Sequence, residues 1–316
     1  MDIARFLTLG GGPGGLSLAR FAGRAALLGF AAIAPLVASG GDDPPTTARD
    51  LTPEILESIT VPDPDRELPF VPGERLTFLI GWSFFDVGEA VLSVDESSVG
   101  DEPALVFKLE VQTNAFADRI YRVRNRTRSW MDPQATTTLH YHNEQSEGRR
   151  ERNIEYEFDW VANTVRYRNR ADDDNPAYHD PIEIIHGTFD PMGITYFVRT
   201  LPFDVGDRLV VPTTNGRELF ITEIDVAERV ERNFRLGRQN ALVLHPDIKD
   251  VGGVFQRSSD ASVTFYMSDD ERRLPLRMES SVTVGRFWAE LVRVERPGEA
   301  VEEEETAPRT RRRRGR

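Results

Sequence analysis

Histidine and acidic side chains cluster near the centre of the chain. His179, Asp180, Glu183 and His186 offer the side-chain types that metal ions bind in proteins. Their spacing matches none of the zinc motifs with understood mechanics, and a solvated loop accounts for them equally well. We therefore predict no metal ligand and no cofactor.

The chain carries no catalytic motif that sequence can identify. It lacks the G-x-S-x-G, S-x-x-K and H-E-x-x-H patterns, and it has no cysteine, which excludes a thiol nucleophile and disulfide bonds. Acidic residues are abundant, so a glycosidase-like carboxylate pair stays open, but no pair is singled out. We predict no catalytic residue and a protein that is not an enzyme.

Arginines form two stripes with a spacing of two residues. Between Tyr121 and Trp130 they occupy alternate positions, which on a strand places them all on one face, and a second stripe covers Arg166–Arg170. A stripe on a concave surface would bind anions or phospholipid headgroups, whereas a solvent-facing stripe would keep the sheet soluble. We favour the solvent-facing interpretation.

Aromatic residues offer a second kind of binding surface. They could line an apolar cavity inside a barrel, with ordinary core packing as the alternative. The group consists of Trp82, Phe84, Phe85, Phe107, Phe116, Tyr121, Trp130 and Trp288. The candidate ligand-binding residues drawn from both patterns are Trp82, Tyr121, Arg122, Arg124 and Trp130, together with Arg199.

A single helix interrupts the strand pattern. Asp190 followed by proline is typical of a helix N-cap, and apolar residues then recur at helical spacing until Pro202. Arg199 lies nine residues after Asp190, about 13 Å along a helix axis, so the two cannot pair. Arg199 therefore needs another partner, such as a strand-end carboxylate or a carbonyl.

Alternation with a period of two dominates the chain between Phe70 and Glu295. About a dozen strands are predicted. The fold class is therefore all-β and mainly antiparallel: a single curled sheet, β-barrel or half-barrel, with one short helix around residues 190–201. Within Glu151–Arg170, a two-residue loop at 162–163 would pair Glu157 with Arg168 and Glu155 with Arg170.

Composition divides the chain into four segments. Residues 1–40 have the pattern of a signal peptide, with arginines before the short apolar run Ala25–Val37. Residues 41–69 are predicted to be a flexible linker, although Thr52–Ile59 could form a short helix. Residues 70–295 form the β domain, and residues 296–316 are predicted to be a disordered tail, first acidic and then arginine-rich.

These segments predict a location and exclude one class of partner. The signal peptide predicts a periplasmic protein without a transmembrane span after cleavage, and an uncleaved N-terminal membrane anchor is the alternative. A net charge of −13 and a pI near 5.0 argue against nucleic-acid binding.

An ordered series of short motifs resembles domain-of-unknown-function family 3108, a family of exported bacterial envelope proteins. The motifs are Phe70-Val-Pro-Gly-Glu-Arg-Leu, Trp82, Asp86-Val-Gly-Glu-Ala, Asp190-Pro-Met-Gly with Tyr196 and Arg199, Leu201-Pro-Phe, Ser268-Asp-Asp, Arg273-Leu-Pro, and Ala289-Glu-Leu. The resemblance implies an exported β-sheet protein, some of whose relatives look like barrel-shaped lipid or lipoprotein carriers. It implies no reaction and no catalytic residues.

Three functions follow as hypotheses. The first, which the sequence favours, is a non-catalytic binding or carrier module that holds a lipid-like or other amphipathic ligand in an apolar cavity. The second is a structural or interaction protein of the envelope, with a filled barrel and an envelope protein as its partner. A hydrolase of envelope polymer is the least favoured.

Overall fold

The computed structural model of the protein describes residues 46–63, 65–170, 177–247, 262–282 and 285–304. The predicted signal peptide and the arginine-rich end of the tail lie outside these ranges. None of the helices within them has the length and apolarity that crossing a membrane requires.

Strands make up most of the described chain, and their bounds agree with the alternating segments of the sequence. They are β1 (Arg75–Trp82), β2 (Phe85–Val99), β3 (Glu102–Thr113), β4 (Val123–Met131), β5 (Thr138–Glu147), β6 (Arg150–Asp159), β7 (Thr164–Asn169), β8 (Ala177–Tyr178), β9 (Ile182–Glu183), β10 (Arg208–Thr214), β11 (Leu219–Phe234), β12 (Gly237–Pro246), β13 (Ser262–Ser268), β14 (Pro275–Val282), β15 (Gly285–Glu295) and β16 (Glu302–Glu303). The helices are α1 (Pro53–Ser58) and α2 (Gly193–Arg199).

All strands join one antiparallel sheet that curls on itself. The order is β10-β11-β12-β13-β14-β15-β1-β2-β3-β4-β5-β6-β7-β8, with β9 beside β7 and β16 beside β15. The sheet does not close as a continuous ladder. Phe189, which follows β9, bridges to Thr213 on β10 and so links its two ends. The predicted all-β, barrel-like class with one short helix is confirmed.

The inner face of the sheet and α2 share one core. Five of the seven α2 residues are buried, and the hydrophobic cluster extends from Phe70 to Val294. Alternation decides which side chains reach the core: on β4, Asn125, Thr127 and Ser129 are buried, whereas Arg126 is exposed.

Part of the segment that was expected to be a flexible linker packs against the barrel instead. Residues 46–63 contain a 3-10 turn at Ala48–Asp50 and the predicted short helix, α1. Thr60 exchanges hydrogen bonds with Val210 on β10, at 2.9 Å for both the backbone N–H and the side-chain oxygen of Thr60. The segment thereby covers an edge strand whose backbone groups would otherwise be exposed.

The acidic start of the tail also differs from the prediction of a disordered segment. Its residues Glu302 and Glu303 form β16, which pairs with Val294 and Arg293 of β15 beyond the part of β15 that pairs with β14. Arginines of neighbouring strands and turns neutralise this acidic run. The ion pairs are Glu302–Arg272 (2.6 Å), Glu303–Arg293 (2.8 Å) and Glu304–Arg235 (2.8 Å).

The β6–β7 hairpin forms with a register two residues away from the predicted one. Glu155 pairs with Arg168 and Glu157 with Arg166, because the connection takes four residues, 160–163, rather than two. The Asp159 carboxylate accepts the backbone N–H groups of residues 161 and 162 and thereby builds the longer turn. The shift by two leaves every side chain on its predicted face.

Gly88 allows close contact between β2 and β3. A Cβ atom on Gly88 would lie 2.4 Å from the carbonyl oxygen of Gln112, a backbone atom that cannot move independently. The register of β1 and β2 shifts beside this position, where Ile80 pairs with Gly88 and Gly81 with Asp86.

We predict that Gly88→Ala lowers the free energy of unfolding by about 1–3 kcal/mol, because the added methyl group overpacks two strands. Glu89→Ala changes the exposed neighbouring position and should stay within about 0.5 kcal/mol of wild type. Urea denaturation measures both values, and equal stability of the two variants would contradict the prediction.

Candidate functional site

Arg199 lies at the C-terminal end of α2 and is buried. Its guanidinium donates to both carboxylate oxygens of Glu74, at 2.7 and 3.3 Å, and to the carbonyl oxygen of Arg272 at 3.2 Å. Both side chains of the pair are only 1% exposed. Glu74 immediately precedes β1, so the predicted strand-end carboxylate and carbonyl partners are both confirmed. These contacts hold the arginine within the fold, and its buried Nε lacks a hydrogen-bond partner among the described residues.

Asp190 holds the opposite end of α2. The helix begins at Gly193, later than the predicted N-cap implies, yet the Asp190 carboxylate accepts the backbone N–H of Met192 at 2.8 Å and of Gly193 at 3.0 Å. The hydroxyls of Ser129 (2.5 Å) and Thr138 (2.8 Å) donate to its other oxygen. Burial raises the pKa of Asp190, and these hydrogen bonds oppose the rise.

Aromatic rings fill the space between α2 and the sheet. The Tyr196 ring lies 4.1 Å from the Phe107 ring and 5.2 Å from the Phe70 ring, measured between centroids. The Arg199 guanidinium lies over Phe70 and Tyr196. Phe107 therefore serves core packing, the alternative that the sequence left open, and α2 occupies this part of the barrel interior.

The arginine stripes lie on the outer face, beside acidic residues. Arg124 pairs with Asp118 at 2.7 Å, and hydrogen bonds from Arg124 and Thr113 lower the pKa of Asp118. Arg168 lies 3.4 Å from Glu155. Arg122 is exposed. The solvent-facing interpretation is confirmed, and these arginines do not line a concave anion site.

The three aromatic residues predicted to bind a ligand each make a different contact within the fold. Trp82 stacks on Phe287 with 6.2 Å between ring centroids. The Tyr121 hydroxyl donates to the backbone carbonyl of Glu147. The Trp130 indole N–H donates to Ser97. The structure does not bring Trp82, Tyr121 and Trp130 together with Arg199.

A surface pocket of about 410 Å³ lies where the N-terminal segment meets β9. It is lined by Thr47, Arg49, His179, Asp180, Pro181, Ile182, Glu183 and Arg217. Three members of the histidine and acid cluster are among them, whereas His186 packs against Trp160. Within the described ranges, no three His, Asp or Glu side chains are close enough to hold a metal ion.

The charges that line this pocket interact with one another. Arg49 donates to both carboxylate oxygens of Glu183, and Arg217 lies over the Tyr167 ring at 4.2 Å. Burial and the nearby Arg217 charge lower the pKa of His179. The Arg49–Glu183 contact fastens the N-terminal segment to the barrel, so these residues have a structural role.

A cluster of exposed apolar side chains lies at the end of the barrel where β1 turns into β2. We call it the Phe84 rim and define it by Phe84, Phe85, Phe116 and Ile120, with Arg119 and Arg122 beside them. Phe84 is 97% exposed, and the other three apolar residues are 44–50% exposed. The Phe85 and Phe116 rings stack at 6.4 Å. Three residues of the predicted cavity-lining group thus lie on the surface.

Sequence reasoning missed the partners that make the interior polar. Glu74, Ser129 and Thr138 carry no motif of their own. The available signal was the β4 alternation: if arginines face solvent, then Asn125, Thr127 and Ser129 must face inward, where polar groups need partners. That pattern implies a buried polar group opposite β4, which is Asp190.

Comparisons with known proteins identify a family and align two solved structures with the chain. The family model described as "Protein of unknown function (DUF3108)" matches residues 77–292. The comparison with curated proteins gave no match. Among solved structures, a β-barrel-like protein of domain of unknown function DUF1849 from Brucella abortus aligns at 8% identity and a TM-score of 0.46, covering 72% of this chain and 98% of that one. A proposed exported protein with a YmcC-like fold from Bacteroides fragilis aligns at 10% identity and a TM-score of 0.31, covering 73% and 99%.

We predict that Arg199→Met lowers the free energy of unfolding by about 3–5 kcal/mol, because it leaves the Glu74 charge buried with one close partner fewer. Adding Glu74→Leu should restore part of this loss, since the double variant buries no uncompensated charge. Arg208→Ala removes an exposed ion pair with Asp225 and should cost at most about 1 kcal/mol. Guanidinium denaturation tests all three, and a double variant as unstable as the sum of its single variants would contradict the prediction.

Asp190 predicts a pH dependence of stability. Because its pKa is raised in the folded protein, its contribution is complete below the unfolded carboxyl pKa of about 4 and is lost as pH rises through the raised value. Asp190→Asn removes this titration, so the stability of the variant relative to wild type should increase from pH 4 towards neutral pH.

Asp118→Asn provides a control of opposite sign. The pKa of Asp118 is lowered, so its contribution is present above pH of about 4 and is lost as pH falls through the lowered value. Unfolding curves collected at several pH values measure both slopes. A stability difference for Asp190→Asn that does not change with pH would contradict the assignment.

Proposed function

The chain belongs to DUF3108, a protein family of unknown function, and on that premise we propose that it is an exported, periplasmic, non-catalytic interaction protein. Its barrel serves as a filled scaffold, and its outer surface binds the partner. This corresponds to the second of the three hypotheses from sequence.

The observation that carries the proposal is the position of α2. The helix lies on the inner face, fixed by Asp190 at one end and by the Arg199–Glu74 pair at the other. A ligand in this place would have to displace Tyr196 from Phe70 and Phe107 and separate a buried ion pair. Both changes carry a large free-energy cost, which favours binding outside the barrel over carriage within it.

Surface chemistry supports the same assignment. The polar interior groups that a reaction could use, Asp190 and Glu74, are buried and hydrogen-bonded to the fold. The exposed aromatic rings lie instead at the Phe84 rim, where a partner can reach them.

We expect native mass spectrometry of protein purified without detergent from a Gram-negative envelope to show the mass of the mature chain alone. Tyr196→Ala is the matched positive control, because it opens an apolar cavity beside Phe107. Benzene should raise the thermal midpoint of this variant and leave that of wild type unchanged. A stoichiometric lipid in the wild-type spectrum would overturn the proposal.

A further inference from the structure

We propose that the Phe84 rim docks on the surface of an anionic lipid bilayer. This inference rests on the proposed function, because it assigns the partner of a filled barrel that binds through its outer surface. Three features of the rim carry it.

The first feature is the turn that presents Phe84. Ser83 and Phe84 form a two-residue connection in which Ser83 has φ 53°, a conformation that favours Gly or Asn. Two hydrogen bonds hold the turn. The Ser83 N–H donates to the Arg286 carbonyl (2.7 Å), and the Trp288 indole N–H donates to the Ser83 carbonyl (3.2 Å). This fastened turn thus holds an almost fully exposed phenylalanine at a defined position.

The second feature is the continuity of the apolar surface. Phe85 stacks on Phe116 across two loops, and the Asn114 side chain joins those loops by donating to the Asp86 carbonyl at 2.7 Å. Ile120 lies four residues after Phe116, on the far side of a 3-10 turn. Exposed aromatic side chains suit the shallow interfacial layer of a bilayer, into which aromatic side chains partition well.

The third feature is local charge. Arg119, Arg122 and Arg286 are exposed, and no carboxylate of the described chain lies within ion-pair distance of them. The acidic groups of the same loops have arginine neighbours: Asp118 pairs with Arg124 at 2.7 Å, and Asp86 lies 3.8 Å from Arg235, which also pairs with Glu304 at 2.8 Å.

Turns at the opposite end of the barrel carry Asp101, Asp132 and Asp159. In a chain of net charge −13, the Phe84 rim is therefore a locally cationic surface. Cationic and apolar groups together match an anionic bilayer better than they match an acidic protein face alone.

Vesicle sedimentation of the mature chain tests the proposal. We expect binding to vesicles of phosphatidylglycerol and phosphatidylcholine, little binding to phosphatidylcholine alone, and weakening as salt increases. Phe84→Asp should weaken binding about tenfold or more. Val161→Asp is the matched control, because Val161 is 99% exposed in the β6–β7 turn at the opposite end, and it should bind as wild type does.

A second readout reports the orientation. The chain has no cysteine, so Phe84→Cys and Val161→Cys each create one labelling site. An environment-sensitive dye should gain fluorescence on anionic vesicles at position 84 and not at position 161. Equal responses at both positions would overturn the proposal.

The arginine-rich tail needs a separate control experiment, because it could bind anionic lipid independently of the Phe84 rim. Replacing Arg309, Arg311–Arg314 and Arg316 by Gln should leave binding through the Phe84 rim. Binding that is lost with the tail arginines but retained in Phe84→Asp would overturn the proposal, as would no vesicle binding by wild type. Either of these two outcomes would overturn docking through the Phe84 rim without predicting a lipid in the native mass spectrum. The failure of this proposal is therefore distinguishable from the failure of the proposed function.

Discussion

The structure depends on one constraint: a short helix inside a curled sheet must have both of its polar ends satisfied without water. Asp190 accepts N–H groups at the start of α2, and Arg199, in the last turn of the helix, reaches Glu74. An acid at the N-terminus and a base at the C-terminus also complement the helix dipole. Because an unpaired buried charge is so unfavourable, these contacts fix where α2 lies and which side chains may face it.

The same constraint explains why the inner face of the sheet is partly polar. Ser129 and Thr138 donate to Asp190, and Gly193 is required beside them, since a Cβ there would lie 2.8 Å from the Asp190 carboxylate and 3.0 Å from the Thr138 hydroxyl. Part of the interior polarity of this fold therefore serves the helix, whereas Thr127 bonds to Asn143 on the neighbouring strand. Residues that are free to meet a partner are found where the sheet ends, in its turns.

Local pattern was sufficient to predict strands, the helix and the kind of partner Arg199 needs, because alternation and helix length depend on nearest neighbours. It was insufficient for the β6–β7 register, since the Asp159 turn adds two residues without changing any face. It also failed for the acidic run at 302–304, whose arginine partners lie far away in sequence. The identity of Glu74 as the partner, and the exposure of Phe84, depend in the same way on which strands become neighbours.

The net charge of the chain differs from the charge that a partner meets at particular parts of its surface. The chain is acidic as a whole, yet opposite charges on its outer face are matched strand by strand, as between Arg168 and Glu155 or Arg124 and Asp118. Matched pairs produce little field beyond the Debye length of about 8–10 Å at physiological ionic strength. A partner at contact distance therefore interacts mainly with the charged side chains that have no ion-pair partner, which are the unmatched remainder. At the Phe84 rim that remainder is cationic and at the opposite turns it is acidic, so an anionic surface would select one orientation of the barrel even though the net charge opposes approach.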